Sequence, residues 1–196
     1  MTMNKGAAPM VNGRFVTLVG MTLTAAATRL LPHPPNFTPI AAMALFGGAY
    51  FASPLAGFAV PLSAMLLSDL LLGFGPHPVM PFVYSSFAFT VCLGRWLRAR
   101  RSPLAVGAAA VSGSLVFFVA TNLGVWLVGN LYPLTLDGLV TCYIAAIPFF
   151  RRTLAGDAFY VVVLFGGFAL AQRYFPALDE RGSPMLGLGD TGSGRP

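Results

Sequence analysis

From Leu104 to Val128 the chain runs without a single charged residue. About 20 apolar residues cross a bilayer as a helix, and a surface helix of a soluble protein alternates apolar and polar faces instead. This stretch therefore reads as a membrane span, and the rest of the chain agrees with it. Only 9% of the 196 residues are charged, against about 25% in soluble domains. A chain of this length divides into roughly five to seven spans, which leaves no room for a soluble ATPase, Rossmann or nucleic-acid-binding module. The formal charge of +6 fits basic loops beside anionic lipid rather than a nucleic-acid surface.

Proline and glycine punctuate the apolar runs. Phe15 to Leu31 is a first span, and Pro32-His33-Pro34-Pro35-Asn36-Phe37 forbids its continuation. Thr38 to Ala52 is a short second span, broken by Ser53-Pro54, and Ala56 to Leu72 a third. After the turn Gly73-Phe74-Gly75-Pro76-His77-Pro78, Val79 to Leu97 is the fourth and Leu104 to Val128 the fifth. The run from Gly138 to Phe150 is too short to span and is expected to lie at the interface or re-enter; Thr153 to Phe175 is the sixth span. Residues 1–14 form an N-terminal tail, residues 15–175 the membrane domain, and residues 176–196, rich in glycine, proline and serine, a disordered tail. The fold class is all-α, a polytopic six-helix bundle. A basic start, an apolar run and Ala25-Ala26-Ala27 also match a cleaved signal peptide. That run is longer than a usual signal core, and Arg29 with the proline turn suits a span ending at the outer face.

Orientation follows the lysines and arginines. With the run Arg95, Arg98, Arg100 and Arg101 inside, both termini are cytoplasmic. Lys5, Arg14, Arg173, Arg181 and Arg195 then also fall inside, and only Arg29, Arg151 and Arg152 fall outside. This topology gathers the unusual polar residues on the outer side. His33 and Asn36 lie in the first outer turn, Asp69 near the outer end of the third span, and His77 in the second outer turn. Tyr84 opens the fourth span, and Asn122 and Trp126 occupy the outer part of the fifth. Tyr132, Arg151, Arg152 and Asp157 belong to the third outer segment and the start of the sixth span. Together these eleven residues outline a substrate pocket open to the outside.

Structural roles compete with that reading. Asp69 could simply pair with Arg29 or Arg152, since an ionisable group in a span is costly unless matched. Trp126 and Tyr132 sit where aromatic belts are normal. Cys92 and Cys142 lie in apolar contexts and read as packing residues. The chain contains no HExxH, GxSxG or GxxxxGK[ST] pattern and no CxxC, so neither an enzyme nor a resident metal or cofactor is expected.

Two stretches resemble a known group. Phe46-Gly47-Gly48-Ala49-Tyr50 through Gly57-Phe58, followed by Ser68-Asp69-Leu70-Leu71-Leu72-Gly73, is similar to the second and third helices of the substrate-binding S components of energy-coupling factor (ECF) vitamin transporters. Ile147-Pro148-Phe149-Phe150 with Leu154-Ala155-Gly156-Asp157 resembles the entry to their sixth helix, with an insertion. Leu31 to Pro39 resembles an uncharacterised bacterial family of transport proteins related to the solitary cobalamin-binding S components. The resemblance implies a bacterial inner-membrane protein that takes up a small vitamin-like molecule, cobalamin among the candidates. It acts alone or with a transmembrane coupling subunit and two ATPases. It departs from the cobalamin binders in one respect. No cysteine lies between Asp69 and Tyr84, and Cys92 is about 12 Å further along a helix than Tyr84, which leaves His77 as the alternative axial ligand. The competing classes are a membrane scaffold or assembly protein and a small intramembrane enzyme.

Overall fold

A computed structural model describes residues 13–179. Seven α-helices follow in order: α1 Gly13–Ala27, α2 Ile40–Tyr50, α3 Pro54–Leu71, α4 Met80–Leu97, α5 Pro103–Val128, α6 Leu136–Val161 and α7 Gly167–Tyr174. A 3-10 turn, Thr28–Leu30, extends α1, and a π-helical stretch, Val162–Gly166, joins α6 to α7 without a break. There are thus six rods, with no strand among the described residues. Three of them, Pro54–Leu71, Pro103–Val128 and Leu136–Tyr174, are long and apolar enough to cross a bilayer. The chain is a helical membrane protein.

Helix starts are written locally. Ser53 and Ser102 each precede a proline, and their hydroxyls accept from the N–H groups of Ala56 (3.5 Å) and Ala105 (3.2 Å). The serine satisfies an orphan donor while the proline at the first helical position needs none. Thr135 caps α6 through Gly138 N–H at 3.2 Å.

The expected interfacial segment from Gly138 to Phe150 does not exist as a separate element. It is the first half of α6, which passes Pro148 and Arg151-Arg152 without ending. Proline is tolerated in membrane helices, where neighbouring helices and local adjustments re-satisfy the freed carbonyl. The resulting rod of 39 residues is about 58 Å long, roughly twice the hydrocarbon core.

Packing is inverted relative to a soluble protein. Large side chains such as Leu55, Leu70, Leu104, Leu136 and Val162 point outward, while the centre is α2, whose eleven residues are all buried. At about 16 Å it is too short to span. It is the hub on which α1, α3, α4, α5 and α6 all pack. Small residues make this possible: a Cβ on Gly48 would overlap the α4 backbone at Val91, and one on Gly94 the α2 backbone at Leu45. The two helices touch main chain to main chain there.

The two ends of the bundle differ. At one end α2 runs into Phe51 and Ala52, where arginines collect. Arg14 donates to Tyr50 O at 3.0 Å, Arg95 to Phe51 O at 3.0 Å, and Arg98 to Phe51 O and to Ala52 O at 2.9 Å. A helix C-terminus leaves carbonyls unpaired and carries partial negative charge, so guanidinium groups suit it twice over. Arg14 also donates to Leu178 O at 2.6 Å. Pro176–Leu178 forms a 3-10 turn packed against α1, and Leu178 is buried. Helix α1 thus starts inside the expected N-terminal tail, and residues 176–179 of the expected C-terminal tail are ordered against the bundle; the remainder of each expected tail lies outside the described residues. At the opposite end lie the two proline turns.

Candidate functional site

The proline end holds a cavity of about 430 Å³. The α1–α2 linker, the α3–α4 turn, α4, α5 and α6 all contribute walls. Backbone geometry shapes its rim. Asn36 adopts φ +64°, a left-handed conformation that asparagine tolerates better than most residues. Gly73, at φ +76°, ends α3 in the same region, and Phe74 N–H returns to Asp69 O at 2.9 Å. That six-to-one closure terminates the helix one turn beyond Asp69. It leaves the carboxylate inside the cavity wall.

Asp69 is fully engaged. Arg29 Nη2 lies 2.7 Å from Oδ1, with both side chains 7% exposed. Tyr84 donates its hydroxyl to Oδ2 at 3.2 Å. Arg29 also donates to Ser68 Oγ, while its Nε is buried without a partner. The pairing of Asp69 with Arg29, weighed at the sequence level as the structural alternative, is therefore present, and it forms part of the cavity lining. The sequence offers Arg29 as a topological marker and a structural partner for Asp69, not as a cavity residue.

Asp157 has a different environment. It is 4% exposed and accepts from Ser114 Oγ at 2.5 Å. Among the described residues no cation pairs with it. Gly156 explains its position: a Cβ there would stand 3.1 Å from Phe37 Cα and Thr38 N, so the missing side chain lets α6 press against the first proline turn. Asp157 also borders a second, apolar groove of about 490 Å³ between α5 and α6–α7, with Arg101 near its other end. Ser114 gave no sequence signal, because a lone serine in an apolar helix ordinarily bonds its own backbone.

Of the eleven residues singled out from sequence, His33, Asn36, Asp69, His77, Tyr84 and Asp157 line this one cavity. His33 and His77 stand exposed at the rim, and His33 Nδ1 lies 2.7 Å from Leu31 O. The other five do not reach it. Asn122 lines a smaller adjoining cavity of about 190 Å³ that shares Asn36, and its amide donates to Phe118 O at 2.8 Å. Trp126 Nε1 donates to Pro133 O at 3.0 Å, closing the α5–α6 turn, and Tyr132 sits half-buried in that turn. Arg151 and Arg152 are exposed on α6. The expected convergence of Arg152 with Asp69 and Tyr84 is absent because α6 is continuous: the arginines ride on a helix face instead of folding back in a loop.

The apolar lining comes from Ile40, Met65, Phe87 and Phe117, with the last two rings stacked at 5.1 Å between centroids. No cluster of three or more histidine, cysteine, aspartate or glutamate side chains gathers among the described residues. Cys92 is exposed on α4 away from the cavity, and Cys142 is buried with its thiol 3.5 Å from Asn122 O.

A family model covers residues 10–178, nearly the whole described chain. The protein belongs to the family of unknown function DUF6580. No curated protein and no solved structure matches it. The match spans both the arginine end and the cavity, so the two belong to one family unit.

Proposed function

We propose that this chain is a substrate-binding membrane subunit of S-component type, taking up a small vitamin-like molecule through the cavity at its proline end. The observation that supports this most directly is the convergence of six polar or titratable residues from five separate segments on one concave space under two rigid turns. Pockets with a mostly apolar lining and a few convergent polar groups are where small molecules bind. Six rods alternating in direction, with both termini cytoplasmic, put the proline end outside in a bacterial inner membrane. The volume stands toward the lower part of the roughly 300–1,000 Å³ range for ligand pockets. A compact vitamin fits it as it stands, whereas cobalamin, with His77 as axial ligand, requires the turns to open. A coupling subunit with its ATPases, or solitary action, supplies the energetics.

Native mass spectrometry of the purified protein tests the reading by seeking a copurified small molecule. Single-cysteine variants at Asn36 and Gly75 then test its place. Both are expected to be labelled by a membrane-impermeant maleimide from outside, and more slowly once the copurified compound is added. Labelling at both positions that no compound alters would favour a scaffold whose polar end only sets topology.

A further inference from the structure

The charge inventory of the cavity narrows the class of molecule that it takes. The single arginine in its lining is already held by Asp69 and Ser68. Among the described residues no lysine contributes, and both histidines stand at the exposed rim. Asp157, by contrast, is a buried carboxylate with one hydroxyl partner and, among the described residues, no cation. A carboxylate taken out of water is costly unless an opposite charge or several hydrogen bonds compensate it. The wall beside it is aromatic, with Tyr84, Phe87 and Phe117 presenting rings to the same space. Aromatic faces attract cations, most strongly where water is excluded. An anionic cargo would meet an unmatched like charge at Asp157 and find every buried cation already taken.

We infer that the cargo is an organic cation whose positive centre is received by Asp157 and flanked by the Tyr84, Phe87 and Phe117 rings. This rests on the proposed binding role of the cavity and specifies its chemistry. Asp69 serves as a positioning residue: it neutralises Arg29 and orients the Tyr84 hydroxyl, so that the net charge facing the ligand is that of Asp157.

The test uses the full chain in phosphatidylcholine nanodiscs, titrated calorimetrically with two probes of like size, benzyltrimethylammonium and phenylacetate. The cation is expected to bind saturably and at least tenfold more tightly than the anion. Asp157→Asn, which keeps the shape and can still accept from Ser114, is expected to abolish that preference. Helical circular dichroism and thermal unfolding of Asp157→Asn in the same nanodiscs are expected to match wild type, which guards against a folding defect in this variant. Equal affinities, a preference for phenylacetate, no saturable binding of the cation, or a preference that survives Asp157→Asn would each overturn the inference. The last of these would mean that the charge of Asp157 does not select the ligand. A copurified compound that is neutral or anionic at neutral pH would overturn the charge assignment yet leave the cavity as a binding site. Failure of every compound to protect Asn36→Cys would remove the site, and this inference with it.

Discussion

Guanidinium groups meet opposite fates at the two ends of the bundle. At the arginine end, Arg14, Arg95 and Arg98 are spent on the carbonyls of Tyr50, Phe51 and Ala52, where α2 stops short of crossing. These side chains finish a backbone. At the proline end, Arg29 is spent on a carboxylate, and the pair lines a cavity. The lesson is that charge in a membrane helix bundle follows unmet backbone demand. Where a helix terminates inside the protein, arginine closes it. Where helices terminate in rigid turns that meet their own hydrogen-bonding needs, acids are left facing a cavity.

Breaking the Arg29–Asp69 pair should have the largest effect. Asp69→Ala leaves a buried guanidinium unmatched, which typically costs about 3–5 kcal/mol. Unfolding of the purified variant in detergent should show that loss. The double variant Arg29→Met with Asp69→Leu should recover most of it, because an apolar pair of similar volume carries no desolvation penalty. If Asp69→Ala unfolds like wild type, the pair is not structural and the contrast between the ends is weaker than drawn.

A smaller loss is expected at the other end. Arg98→Ala removes charge-assisted bonds to the end of α2, each worth about 1.5–3 kcal/mol when well formed. Arg98 is half-buried, so about 1.5 kcal/mol in the same unfolding measurement is expected. Reporter fusions should show an unchanged orientation, since Arg95, Arg100 and Arg101 remain in the same segment. A reversed orientation would mean that Arg98 sets topology more than it caps α2.

The smallest effect sharpens the boundary of the site. Arg152→Gln should change stability by less than about 0.5 kcal/mol, as for surface positions generally. It should also leave binding of any copurified compound within twofold, because the side chain is exposed on α6 outside the cavity. A tenfold loss of binding would place α6 differently relative to the proline turns.

Much of the architecture was legible in the chain itself, for reasons that are local. Apolar runs define helices, Ser-Pro pairs start them, and Pro32 to Pro35 or Gly73 to Pro78 must end them, whatever surrounds the segment. The grouping of His33, Asn36, Asp69, His77, Tyr84 and Asp157 followed from topology alone, since successive turns alternate between the two ends of a bundle. Other features depended on three dimensions. Whether a helix runs on past Pro148 and Arg151-Arg152 is decided by its neighbours, so α6 continued where the pattern suggested a stop after Phe150, and this carried Arg151 and Arg152 away from the site. Which cation meets Asp69 is a question of distance across helices, and residue types could only offer Arg29 and Arg152 as alternatives. That Asp157 finds Ser114 and no cation is likewise set by how closely α5 approaches α6. The role of α2 as a buried hub was hidden because a short apolar run looks the same in sequence whether lipid or protein surrounds it. Its environment was settled by main-chain contact at Gly48 and Gly94, which only packing reveals.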